Sequence, residues 1–262
     1  MLKRQNPLKV IIIAVSLVVL SAVICMIGWN IFNFYRLKSS LQDVYFMEYV
    51  NGTTIYKYDV SKRKTVTVAE LEGGRYSKCK INRIENYIIG EFWDYEEDTT
   101  VLLRYNLSDD TAVELTGIEP EVIKEAEDKL PERSSLPEEV KKIVTNGFIS
   151  WSEDGEKAAF SGSNQEKIYL YNANTGTCEC VLEAGWNQTF GNNLGLDASG
   201  NYLFYKNNFN YLFQTADVTI MIYDLQTGEK IEIYKERYTQ HSFEFVQDLS
   251  KKEIARMHIL LK

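Results

Sequence analysis

Histidine is scarce in this chain. Only His241 and His258 occur, both near the C-terminus in stretches that alternate like strands, and a Ser or Cys nucleophile ordinarily needs such a base within hydrogen-bond reach. Both are read as packed strand residues. Also missing are a G-x-S-x-G elbow, a G-x-x-x-x-G-K-[ST] loop and a G-x-G-x-x-G turn. Their absence argues against α/β-hydrolase chemistry and against phosphate or dinucleotide cradles, and no cofactor is expected. Basic side chains are few where they would matter. Residues 1–38 hold Lys3, Arg4, Lys9, Arg36 and Lys38 with no acid, which leaves 24 basic against 37 acidic residues beyond them. A region that acidic repels phosphate backbones, so nucleic acid is not an expected partner. Cysteine is sparse too: Cys25 lies in an apolar run, leaving Cys79, Cys178 and Cys180. Cys178 and Cys180 are two apart on an expected strand and share a face. A metal site would need further ligands, so these thiols are read as small buried hydrophobes with at most one disulfide, to Cys79, and no metal is expected.

What is present begins with a membrane-length segment. Val10–Trp29 is a run of 20 residues whose only polar members are Ser16 and Ser21. As a helix it spans roughly 30 Å, the thickness of a bilayer core. A signal peptide has an apolar stretch of about 7–15 residues and a small-residue cleavage site, and neither fits here. The reading is an uncleaved signal anchor: residues 1–9 as cytoplasmic tail, 10–35 as transmembrane helix and 36–43 as linker. Three basic residues before the span against two after it place the N-terminus in the cytoplasm and the bulk of the chain outside the cell membrane.

Beyond residue 43 the sequence repeats itself. Four times a short alternating strand ends in Tyr followed by Asp or Asn and a polar turn: Tyr58-Asp59, Tyr105-Asn106, Tyr171-Asn172 and Tyr223-Asp224. A period of roughly 45–50 residues is that of a propeller, one antiparallel sheet per repeat. A second element, strand–turn–strand, is clearest at Trp151–Phe160, recurs at Leu196–Phe204, and is looser at Ile81–Ile89 and from Phe245 to Ala255. Together they give an all-β fold, a small β-propeller of four to five blades over 44–262. Residues 144–182 and 190–236 are complete blades, and 76–116 is a third. The strands at 44–71 and 240–261 either combine to close the ring or stand as partial blades. Trp151–Phe160 resembles the W-S-P-D-G-x-x-I-A-F element of TolB-like (WD40-like, PD40) propeller repeats, with Glu153 in place of the proline. Ile168–Asn172 resembles the I-Y-x-x-D strand of the same repeat. The resemblance implies fold far more than function. The ectodomain is used up by blades, with no room for the hydrolase domain that follows similar propellers in prolyl-oligopeptidase-type peptidases. Residues 117–143 interrupt the pattern and read as two short helices, Pro120–Leu130 and Pro137–Val144, a solvated excursion between blades or an acidic docking element.

In a four-stranded meander the a–b and c–d turns share one end of the blade, and the b–c and d–a loops share the other. The first set is tight and polar. The second carries aromatics among amides and acids, and the candidate binding residues are Trp93, Asp94, Tyr95, Trp186, Phe209 and Tyr211. The alternative is that Trp93, Trp186 and Phe209 fold back as inter-blade core. Asp94, Glu96, Glu97 and Asp98 have the oxygen donors calcium takes, but are read as a wet acidic loop. The functional expectation is a membrane-anchored, non-catalytic binding or scaffolding module for an envelope protein or a cell-wall glycan. The alternative is a carboxylate-dependent envelope glycan hydrolase or lyase working in the central funnel.

Overall fold

The computed structural model describes residues 7–50, 52–115, 136–144, 149–162, 164–191, 194–211, 216–239, 241–249 and 254. The expected helix Pro120–Leu130 and His258 lie outside them.

The N-terminal unit is one helix, α1, Pro7–Ser40. It is long and apolar enough to cross a membrane, a test that a signal sequence near an N-terminus also passes. The helix extends past Tyr35, so only residues 41–43 separate it from the first strand.

The second unit is a four-bladed β-propeller. The first blade contains β1 (Val44–Tyr49), β2 (Gly52–Asp59) and β3 (Lys64–Glu72), and the second β4 (Gly74–Asn82), β5 (Tyr87–Asp94), β6 (Thr99–Asn106) and β7 (Thr111–Glu114). The third is β8 (Ile149–Trp151), β9 (Lys157–Ser161), β10 (Lys167–Asn172) and β11 (Thr177–Glu183). In the fourth, a broken inner strand, β12 (Gln188–Phe190) and β13 (Gly195–Leu196), pairs with β14 (Tyr202–Asn210), followed by β15 (Ala216–Asp224) and β16 (Lys230–Thr239). Every pairing within these blades is antiparallel.

The left-over ends combine. β17 (Ser242–Phe245) joins β1 antiparallel, with Phe46 opposite Phe245 and Tyr49 opposite Ser242, giving the first blade its inner strand. Most of the second half of the strand–turn–strand expected from Phe245 to Ala255 lies outside the described residues. β18 (Gln247–Asp248) adds in parallel to β4. Val246 N donates to Tyr45 O at 3.0 Å and Leu249 N to Ile81 O at 2.9 Å, so this segment is stitched to two blades.

Four of the described turns follow one local rule. Asn82, Asp94, Asn172 and Asp224 each accept, on Oδ1, the backbone N–H groups two and three residues on. The residue four places on has positive φ: Asn86 59°, Asp98 51°, Gly176 68° and Gly228 73°. A side-chain oxygen that mimics the next turn of backbone, followed by a residue tolerant of the left-handed region, closes the hairpin without tertiary help.

Packing between blades is apolar with a few buried polar ties. Tyr76, Tyr87, Phe46, Phe160 and Ile88 are among the largest fully buried side chains, each contributing about 1.5–3 kcal/mol on aliphatic and aromatic burial scales. Thr53 Oγ1 on β2 accepts Tyr76 N of β4 at 2.8 Å, and Ser150 Oγ on β8 accepts Leu196 N of β13 at 2.8 Å. The described part of the expected excursion is not solvated throughout. Helix α2 (Glu138–Ile143), which Pro137 precedes, and its flanks bury Leu136, Val140 and Val144 against Ala158, Phe160 and Tyr171 of the third blade.

Candidate functional site

Strand directions place the connections β1–β2, β5–β6, β9–β10, β14–β15, β3–β4, β11–β12 and β16–β17 at one end of the propeller. All six expected binding residues sit at this end, on two blades that are not neighbours in the ring. On the second blade, Trp93 and Tyr95 are each 45% exposed and meet edge-on at 5.5 Å between ring centroids. The Trp93 indole N–H donates to Asp98 Oδ1 at 3.1 Å. Asp94 is spent on its turn, accepting Glu96 N at 2.8 Å and Glu97 N at 3.0 Å. Two of the four acids in this loop are therefore engaged in holding it.

On the fourth blade Trp186 is 85% exposed, at the tip of the connection into β12. Its ring lies 6.3 Å from Phe209, which lies 5.2 Å from Tyr211. Polar bonds frame this aromatic group. Asn210 N donates to Asn187 O at 2.9 Å, the Asn187 side-chain amide donates back to Asn210 O, and the Asn210 amide donates to Thr189 Oγ1 at 3.2 Å. Asn187 has φ 58°, a conformation asparagine accepts more readily than most residues. Trp93 and Trp186 thus project from their loops instead of folding into core.

The chemically richest group was not among the expected residues. His241 is not a packed strand residue: it lies between β16 and β17, partly exposed. Its Nδ1 is 2.7 Å from Glu48 Oε1 and 3.1 Å from a Glu236 carboxylate oxygen. Glu48 is 5% exposed on β1, and its Oε2 accepts Tyr56 OH at 2.7 Å, with Tyr234 OH at 3.5 Å. Burial pushes the Glu48 carboxyl up, but the hydrogen bonds from Glu236, Tyr56 and His241 outweigh it and hold the group below the usual carboxylate value. Glu236 goes the other way, raised by burial and by its bond to Glu48. Burial disfavours the His241 imidazolium, yet the Glu48 bond and the Glu236 charge leave the ring above its ordinary value. Two carboxylates of opposed tendency around one imidazole can share a proton or hold a cation. One signal in the sequence marked the place: Glu48 is the one charge in the otherwise apolar strand Val44–Tyr49.

All four cysteines are free. Cys79 is buried as expected, whereas Cys178 is half-buried and Cys180 exposed.

The sequence matches no protein-family model and no curated protein. Solved structures are similar to it only at a distance. A nidogen/laminin complex aligns over 74% of this chain and 62% of its own, at 6% identity and TM-score 0.27. A candidate TolB from Agrobacterium tumefaciens aligns over 74% and 66%, at 10% identity and TM-score 0.29. The β-propeller domain of the Trilobed protease from Pyrococcus furiosus aligns over 63% and 43%, at 14% identity and TM-score 0.27. The chain thus spans less than two thirds of the nidogen/laminin and Trilobed protease chains. At these scores the likenesses carry no conclusion about what this chain does.

Proposed function

We propose that this protein is a membrane-anchored binding module, displayed outside the cytoplasm, that holds an envelope glycan or protein on the loop end of its propeller. Helix α1 acts as the anchor, with residues 1–9 in the cytoplasm. Trp93, Asp94, Tyr95, Trp186, Phe209 and Tyr211 form the recognition surface. One observation supports this reading above the rest: Trp186 stands 85% exposed beside Phe209 and Tyr211 on a frame of amides. A tryptophan that open contributes almost nothing to the fold, and aromatic residues next to fixed amides suit stacking on sugar rings or a protein anchor.

The test is equilibrium binding of the purified full-length protein to cell-wall glycan and to solubilised envelope proteins. Trp186→Ala is expected to weaken binding at least tenfold, in line with roughly 2 kcal/mol for a central aromatic anchor, and to leave thermal stability within about 0.5 kcal/mol. Retained affinity in that variant sinks the proposed surface. Turnover of the glycan, abolished by a single carboxylate substitution, would replace binding with catalysis.

A further inference from the structure

Two acids and an imidazole that converge from distant parts of the chain have a use beyond ring packing. We infer that Glu48, Glu236 and His241 form a site for one divalent ion of the zinc class, with three protein donors and at least one position open to solvent. Each residue offers one donor atom, and the three atoms lie within 4.8 Å of one another. His241 Nδ1 is already 2.7 and 3.1 Å from its two partners. Tetrahedral bonds of about 2.0–2.1 Å set donors about 3.3 Å apart, so the imidazole nitrogen need separate from its two partners by only about 0.6 and 0.2 Å. A mixed set of one nitrogen and two carboxylates suits zinc and its neighbours; calcium and magnesium favour oxygen donors alone and in greater number.

The surroundings are those of a supported ligand set. Tyr56 and Tyr234 occupy Oε2 of Glu48, which turns Oε1 toward the imidazole. Thr239 Oγ1 accepts the His241 backbone N–H at 3.0 Å and fixes the residue's approach. Such partners orient ligands and raise affinity. Charge fits as well, since a divalent ion cancels two carboxylates beside a neutral imidazole. Entry is open: side-chain exposure is 31% for His241 and 27% for Glu236, against 7% for Glu48. Glu48 belongs to β1, His241 to the connection into β17, and Glu236 to β16, so the ion would fasten the ring at the joint where its two ends meet.

The full chain in detergent, stripped with EDTA, is titrated with Co²⁺ and then Zn²⁺. The site predicts one equivalent of cobalt with a visible d–d band, its displacement by zinc, and a zinc-dependent rise in Tm that EDTA reverses. Glu236→Gln and His241→Asn are each expected to weaken zinc at least tenfold, and Tyr56→Phe about tenfold through loss of a supporting bond. The pair Glu153→Gln and Glu156→Gln, exposed acids in a tight turn at the other end of the propeller, should leave it unchanged. Absence of the one-equivalent band and of the Tm shift in the wild-type chain overturns the inference, and it needs no variant to fold. Binding that persists in folded Glu236→Gln and His241→Asn, or that disappears in the Glu153 and Glu156 pair, overturns it equally.

Discussion

At the scale of residues, four hairpins are held by an Asx oxygen and a left-handed residue four places later, and each half can be tested alone. Gly176 has φ 68°, and a Cβ there would meet nothing within 4 Å. Gly176→Ala should therefore cost about 1 kcal/mol for backbone strain alone, with Gly176→Asn recovering part of it, both read by urea denaturation. Gly90 is the opposite case. A Cβ there would lie 2.4 Å from Cys79 Sγ and 2.8 Å from Ser77 O, so Gly90→Ala should destabilise by about 1–3 kcal/mol through overpacking. The Tyr-Asp/Asn turns were legible because their chemistry is local: Asn172 and Asp224 bond their own next residues. The Glu48–Glu236–His241 group was not. Its members are up to 193 residues apart, and no pattern of period two brings them together.

Elements show the same division. Blades whose four strands follow one another could be placed from alternation and turns, and the third and fourth blades lie close to their expected bounds. The first blade could not be settled that way, because its inner strand β17 pairs with β1 across most of the chain. Alternation says that a strand exists but not which edge it completes. The segment after Phe245 shows what alternation leaves open: Val246 and Leu249 donate to Tyr45 and Ile81, on two different blades. Helix α2 is legible from Pro137 as a helix-start signal, but its burial on the third blade depends on partners that local sequence does not name. Ring closure itself is testable at Phe245, which packs 5.8 Å from Phe204 of the fourth blade. Phe245→Ala should cost about 3–5 kcal/mol and make the C-terminal strand the first site of limited proteolysis.

The molecule as a whole pairs an apolar helix with an acidic propeller, and the proposal places the propeller outside the cytoplasm. The thiols can report this. Cys180 is exposed; burial and the Glu179 charge push the Cys178 thiol up, and burial, with Glu244 and Glu91, pushes Cys79 well above its ordinary value. Since the thiolate is the reacting form, a membrane-impermeant maleimide on intact cells should label Cys180 first. Cys79 should react only after denaturation. Labelling that requires lysis would put the propeller on the cytoplasmic side.

The most direct measurement compares the two ends of the propeller in one binding assay. Trp93→Ala, Trp186→Ala and Tyr211→Ala alter the loop end, and Glu156→Ala, Asn174→Ala and Gln226→Ala alter exposed positions in the tight turns of the other end. The account predicts that affinity for the envelope ligand falls at least tenfold for the Trp186 variant, and measurably for the other two loop-end variants, while the turn variants bind as the wild-type chain does. Losses confined to the turn variants, or spread evenly over both ends, would contradict it.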